Sequence, residues 1–211
     1  MHVKRMLMAT IVACGCVTAV LAQEAQRPQS PRGTAATQVG GQWVKGERRM
    51  SYQGGKWIEV TYSRPLLRQR PGIFGTGAEY GKGVSAGAPV WRLGADQSTR
   101  FKTEAPLVFG GKTLPAGEYS MFVELKENAW TLLFSSWGAQ QKFDRNDKTA
   151  LWGSYNYTPD KDVLRVPMKV ESIPMSVDQL SIGFVDVTAT GGRLAIWWDT
   201  TQASVAFTVG S

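Results

Sequence analysis

The chain has 211 residues, with 24 Lys and Arg against 17 Asp and Glu, two Cys and one His. This length suits one domain, and a hydrophobic content of 43% that includes eight Trp is enough for a substantial core. The composition excludes disorder for most of the chain. Beyond the first residues, no apolar run approaches the roughly 20 residues that a membrane helix needs.

The N-terminus has the layout of a bacterial secretory signal peptide. Lys4 and Arg5 form a short basic start, an almost wholly apolar stretch follows, and small residues lead up to Ala22. We predict that residues 1–22 are a cleaved signal peptide and that the mature chain is periplasmic or secreted. Lipoprotein anchoring at Cys16 is the alternative, although Ala13 fits a lipobox poorly.

Removal of residues 1–22 would restrict the available chemistry. Both Cys and the only His leave with that segment, and the remaining 189 residues carry 22 cations and 17 anions. The mature chain could form no disulfide and no Ser-His-Asp triad, and it would lack the usual ligands of zinc and copper. We therefore predict no catalytic residue, no metal site and no cofactor, and we expect no nucleic-acid partner for an exported chain of this kind.

Apolar and polar residues alternate along many short segments after residue 42. The stretches 58–62 and 164–170 both have the period of two that is typical of half-buried strands. We predict an all-β fold, a single-domain antiparallel β-sandwich (jelly-roll-like) of about nine to ten strands. Residues 43–211 would form this domain, and residues 23–42, rich in Gln, Gly, Ser and Thr, would be a flexible N-terminal segment.

Turn signals refine this picture. Gly54-Gly55 indicates a hairpin between residues 49–52 and 57–63, and Pro167 inside a strand pattern favours an edge strand or a bulge. Residues 64–89 form a long Gly-rich connection, and residues 135–149 form a polar one. Loops of this length in a compact domain are often functional.

Two catalytic patterns were tested. Residues 83–87 match G-x-S-x-G, but that motif needs a His and a following helix, so we interpret the match as chance. A pair of carboxylates could act on sugars without His, and the candidates are Asp96, Glu118, Asp160 and Asp199. Asp144, Asp160 and Asp162 could also hold a loop cation, although turn formation explains such residues equally well.

Trp152, Tyr155 and Tyr157 form an aromatic cluster separated by small polar residues. Trp and Tyr combine a flat apolar body with a polar tip, which suits ligand platforms. Core aromatics of a sandwich have the same appearance in sequence, so both interpretations stay open.

Six short motifs occur along the chain, at residues 60–65 (VTYSRP), 70–75 (RPGIFG), 90–96 (VWRLGAD), 114–122 (LPAGEYSMF), 152–157 (WGSYNY) and 162–166 (DVLRV). In this order they resemble the bacterial domain-of-unknown-function 2911 (DUF2911) family over about residues 30–209. The resemblance implies an exported β-rich protein without an established activity. No catalytic residue can therefore be taken from it. Asp96-Gln97 stands where the family often has Asn-Glu, which argues against a catalytic carboxylate at either position.

The motifs also supply charged groups. Arg64 and Arg92 can bind carboxylates through two hydrogen bonds, with Asp96 and Glu118 as the expected structural partners. We predict a polar cleft lined by Arg64, Arg92, Asp96, Glu118, Trp152 and Tyr155. Its ligand would be a glycan or another small polar molecule, and the protein would be a non-catalytic binding or structural module. The alternative is a His-independent, carboxylate-based hydrolase or lyase acting on carbohydrate. The oligomeric state stays open.

Overall fold

A computed structural model describes residues 28–210, and the predicted signal peptide lies outside them. The strands in chain order are β1 (Arg32–Val39), β2 (Gln42–Lys45), β3 (Met50–Gln53), β4 (Lys56–Ser63), β5 (Thr99–Thr103), β6 (Leu107–Phe109), β7 (Lys112–Leu114), β8 (Gly117–Glu124), β9 (Thr131–Ser135), β10 (Gly138–Ala139), β11 (Ala150–Leu151), β12 (Asp162–Pro167), β13 (Lys169–Thr188) and β14 (Gly191–Val209). Within these described residues, helical structure is limited to α1 (Lys82–Ser85) and two 3₁₀ turns at Gly77–Glu79 and Pro159–Lys161. No helix between residues 28 and 210 has the length and hydropathy needed to cross a membrane.

Two antiparallel sheets form the body of the molecule. The larger has the strand order β1-β4-β5-β8-β9-β12 and the smaller has the order β13-β14-β6-β7, while β2–β3 and β10–β11 form two-stranded pairs. The all-β sandwich is confirmed as a single domain. Ten strands belong to the two main sheets. The chain crosses from the larger to the smaller sheet after β5, returns to the larger sheet with β8, and crosses to the smaller sheet again after β12.

The core lies between the two sheets and is rich in aromatic rings. Phe101 and Phe134 of the larger sheet meet edge to face, with ring centroids 4.8 Å apart. Phe109 of the smaller sheet approaches Phe134 at 5.1 Å, and Phe207 lies 5.8 Å from Phe109. The period-two alternation along each strand brings these side chains to the inner faces.

Two local predictions at the N-terminal end are wrong. Residues 32–39, placed in a flexible segment, form β1 and pair along their whole length with β4. Val39 is their only large apolar side chain, so backbone pairing with β4 defines this strand and the sequence pattern does not reveal it. The expected hairpin is also absent among the described residues: β3 pairs with β2, and β4 lies between β1 and β5.

Pro167 lies where the sequence predicts it. It ends β12, which is the edge strand of the larger sheet and pairs only with β9 there. After Met168, whose backbone N–H donates to the Trp130 carbonyl at 2.9 Å, the chain continues as β13 of the smaller sheet. An edge position suits a residue that has no N–H to donate.

The Gly-rich connection at residues 64–89 seals one end of the sandwich. Phe74 inserts between three buried Trp rings, with centroids 4.7 Å from Trp130, 5.6 Å from Trp91 and 6.0 Å from Trp198. The backbone N–H of Gly72 donates to the Asp199 carboxylate at 2.7 Å. The first half of this connection is therefore a structural plug.

We predict that Phe74→Ala lowers the free energy of unfolding by about 3–5 kcal/mol, because it leaves a cavity among the Trp rings. Chemical denaturation followed by Trp fluorescence measures this change. Phe143→Ala, which removes a ring that is 49% exposed, is the control and should shift stability by no more than about 0.5 kcal/mol. Equal effects of the two substitutions would contradict the plug.

Candidate functional site

The outer face of the larger sheet is apolar at its centre and is covered by a loop. Phe122 and Leu133 point outward and are fully buried. The covering segment, residues 137–161, contributes Leu151 and Tyr157, and the Tyr157 ring lies 5.1 Å from Phe122. Burial of apolar surface thus holds a polar segment flat against the sheet.

Hydrogen bonds join this covering segment to the loop between residues 90 and 98. The Ser98 hydroxyl lies 2.6 Å from the Gly153 carbonyl oxygen and 3.2 Å from that of Leu151. The Gln97 side-chain amide donates to the Gln141 carbonyl at 2.7 Å. The loop that contains the motif at residues 90–96 therefore contacts the segment that contains the motif at residues 152–157.

Arg92 lies against the backbone of Gly153. Gly153 has a φ of +61°, and a Cβ at this position would lie 2.6 Å from Nη1 of Arg92, so only glycine fits without displacement. Nη1 donates to the main-chain oxygen of Asp96 at 3.0 Å. Burial lowers the pKa of the Arg92 guanidinium, and the Asp96 carboxylate partly opposes this shift.

Two neighbouring cavities open around the covering segment. The first, which we name the aromatic cleft, has a volume of about 310 Å³ and is lined by Trp137, Gln140, Asp144, Arg145, Asp147, Lys148, Ala150, Leu151, Trp152, Tyr155, Asn156, Thr158 and Asp160. The second, the arginine cavity, has a volume of about 390 Å³ and is lined by residues 85–89, Arg92 and residues 154–157. Tyr155 and Asn156 line both.

Three of the six predicted site residues come together in these cavities. Trp152 and Tyr155 line the aromatic cleft, and Arg92 lines the arginine cavity. Asp96 is beside Arg92, but it is exposed and contributes its backbone oxygen rather than its carboxylate. The expected Arg92–Asp96 ion pair is therefore wrong.

Glu118 and Arg64 do not join the site. Arg100 binds Glu118 instead, with Nη2 3.1 Å from the carboxylate oxygen, because the two lie on the paired strands β5 and β8. Arg64 packs against Gly33 of β1, at one edge of the larger sheet. Its buried Nε has no hydrogen-bond partner among the described residues. Strand register, which the sequence pattern does not reveal, separates these residues from the cleft.

Phe143 is the functional candidate that the sequence analysis missed. Its ring is 49% exposed and lies 6.4 Å from the Trp152 ring and 6.1 Å from the Tyr155 ring. Phe143 is one of two aromatic residues, with Trp137, inside the otherwise polar stretch of residues 135–149, and this was the available signal.

The acidic candidates are engaged in local structure. Asp144 accepts a hydrogen bond from the Asn146 backbone N–H at 2.8 Å, which is an Asx turn. Asp162 accepts from Tyr157 at 2.6 Å and pairs with Arg165 at 2.8 Å. Within residues 28–210 no group of three or more His, Cys, Asp or Glu is arranged to hold a metal ion.

The four carboxylates considered for a catalytic pair occupy different surroundings. Asp199 is buried, bound to Gly72 and to the Ser176 hydroxyl, and Glu118 is paired with Arg100. Asp160 lines the aromatic cleft, and Asp96 does not. These positions favour no acid–base pair among the four.

A wider cavity of about 480 Å³ lies elsewhere, at the β2–β3 hairpin. Trp43 and Tyr52 line it together with Gln, Thr and small residues, and no charged side chain contributes to its lining. Trp43 is 66% exposed. This cavity is a second aromatic surface that any binding experiment must distinguish from the cleft.

The protein is thus an antiparallel β-sandwich, and loops on the outer face of its larger sheet form two neighbouring cavities. Residues 46–207, more than three quarters of the chain, match the profile of a family described as a protein of unknown function (DUF2911). The chain therefore belongs to the DUF2911 family, as its motifs predicted. The match includes the covering segment and excludes Trp43. No curated protein and no solved structure was found to match.

A charge network anchors one end of the covering segment through Tyr157 and Asp162. Arg165 links Asp162 to Glu124, which also pairs with Lys126 at 2.8 Å. The hydrogen bond from Lys126 contributes most to lowering the pKa of Glu124; burial opposes the shift, and Arg165 reinforces it. A lowered pKa means that the folded state gains stability when Glu124 is ionised and loses it as the pH falls.

We predict that Glu124→Gln destabilises the protein by about 0.5–1 kcal/mol near neutral pH and has no effect once the pH falls well below the ordinary range of a glutamate. Urea denaturation of the wild type and the variant across this pH range measures the difference. Glu171→Gln, which removes an exposed pair with Lys169, is the control. A difference that persists unchanged in acid would contradict the assigned role of ionised Glu124.

Proposed function

We propose that this protein is a binding module that holds a glycan in the aromatic cleft without chemical turnover. The observation that carries the proposal is the exposure of large rings at one place. Tyr155 is 51% exposed and Phe143 is 49% exposed, and the Phe143 ring lies beside the rings of both Tyr155 and Trp152. Exposed aromatic surface rimmed by polar groups is typical of ligand-binding sites.

The composition of the cleft fits a sugar ring. A pyranose has an apolar face of C–H groups, which packs on flat aromatic rings, and a rim of hydroxyls that needs donors and acceptors. Lys148, Asn156 and Asp160 line the cleft and can supply both. The cavity volume of about 310 Å³ is at the lower end of the range for small-molecule sites, which suits a short stretch of glycan.

The packing of the covering segment supports binding over turnover. Asp147, in the cleft lining, is held by Thr149, whose backbone N–H makes the largest contribution to lowering the pKa of Asp147. A carboxylate kept ionised in this way is a poor general acid. The proposal therefore assigns Asp147 to hydrogen bonding with hydroxyls.

We predict that Tyr155→Ala and Phe143→Ala each weaken glycan binding by tenfold or more, because Tyr155 lines the cleft and the exposed Phe143 ring packs against Tyr155 and Trp152 at its edge. Titration calorimetry on ligands selected from a glycan array measures the affinity. Trp57→Ala is the matched control, since Trp57 is 50% exposed and lines a different cavity. Its affinity should equal that of the wild type.

Three outcomes would overturn the proposal. The wild type could bind no member of the array. Trp43→Ala could abolish binding while Tyr155→Ala retains it, which would assign the ligand to the cavity at the β2–β3 hairpin. New reducing ends released from a bound glycan would favour the carboxylate-based hydrolase.

We further propose that the chain acts outside the cytoplasm after loss of residues 1–22, on the basis of the sequence of its N-terminus. Mass spectrometry of the protein from a periplasmic or culture fraction should then find Gln23 as the first residue. A fatty-acylated Cys16 at the N-terminus would show the lipoprotein alternative, and an intact Met1 would contradict both.

A further inference from the structure

We propose that the arginine cavity binds a carboxylate of the ligand, so that the preferred glycan is an acidic one. The inference rests on the proposed function, because it adds a charged subsite beside the aromatic cleft. Its basis is the state of Arg92 and Ser154, two groups that the fold places at one cavity with hydrogen-bonding capacity unused.

Arg92 has most of its donors available. A guanidinium carries five N–H donors, and the only hydrogen bond of the Arg92 side chain among the described residues is the one from Nη1 to the Asp96 carbonyl oxygen at 3.0 Å. None of the ion pairs in that part of the chain includes Arg92, although Arg100, Arg165 and Arg193 all have carboxylate partners. A partly buried guanidinium that forms no ion pair favours an anionic ligand.

Ser154 provides the second, independent observation. The residue is 1% exposed and lines the same cavity, and its hydroxyl oxygen has no hydrogen-bond partner within residues 28–210. Buried hydroxyls in proteins nearly always have a partner. A carboxylate oxygen bound at Arg92 would be an acceptor for this hydroxyl proton.

The two cavities differ in the charged residues that line them. Among the described residues, Arg92 is the only charged side chain that lines the arginine cavity, and the Tyr157 hydroxyl there is already bound to Asp162. The aromatic cleft contains both acids and bases. An acidic group would therefore be attracted to the arginine cavity, whereas the neutral part of a sugar has no such preference.

The position of Tyr155 connects the subsite to the cleft. Tyr155 and Asn156 line both cavities, so one ligand can lie across this boundary. A sugar ring on the exposed face of Tyr155 would then direct a ring carboxylate toward Arg92. This arrangement points to a uronate-containing saccharide rather than to a free anion.

The test compares an oligouronate with the same oligosaccharide after reduction of its carboxylates to alcohols. We expect the wild type to bind the oligouronate at least tenfold more tightly. Arg92→Gln should reduce this preference to less than threefold and leave the affinity for the neutral form unchanged. Arg49→Gln removes an equal charge from an exposed site outside both cavities and should retain the preference.

The outcomes separate this inference from the proposed function. If both saccharides bind equally to the wild type, or if Arg92→Gln keeps the preference, the acidic subsite is wrong and glycan binding stands. If neither saccharide binds, both proposals fail. Inorganic sulfate is the third probe: binding of sulfate alone, lost in Arg92→Gln, would assign the cavity to free anions and overturn the acidic glycan.

Discussion

Both faces of the larger sheet carry apolar side chains that must be buried, and the candidate site forms where the chain covers the outer face. The inner face packs on the smaller sheet, while Phe122 and Leu133 are apolar and point outward. The chain covers them with residues 137–161, a polar segment that contributes a few apolar anchors. The anchors face the sheet, and most of the other side chains face solvent, with Gln140 and Ser154 as buried polar exceptions. The cleft is thus a consequence of hydrophobic burial acting on a segment too polar to join the core.

The close approach of Arg92 to the backbone of Gly153 then determines where the positive charge of the site lies. Gly153 lacks a side chain, so the Arg92 guanidinium can rest against the main chain of the covering segment. Ser98 fixes the same backbone from the other side through its hydroxyl. Asp96 satisfies Arg92 only through its carbonyl oxygen, which leaves the guanidinium without an ion pair next to a cavity. Segments separated by some sixty residues thereby form one polar surface.

The sequence allowed the types of side chain at the site to be predicted better than the contacts between them. Trp152, Tyr155 and Arg92 were identified because flat amphipathic rings and guanidinium groups suit ligand binding wherever they are exposed. Glu118 was placed wrongly because it lies opposite Lys102 and diagonal to Arg100, a consequence of the β5–β8 register. A shift of one residue would have turned it to the other face. The strand β1 was missed because its small and polar side chains carry almost no apolar pattern.

The sequence by itself determined the fold class, the family and the types of group available, because strand periodicity and motif order are local properties of the chain. Tertiary structure decided which of those groups meet. The Gly-rich connection became a plug around Phe74, since three Trp rings from distant parts of the chain leave space for one more ring. The folding of the covering segment brought Phe143 beside the rings of Trp152 and Tyr155. Such contacts depend on register and on packing between residues far apart in the chain, and no short-range pattern encodes them.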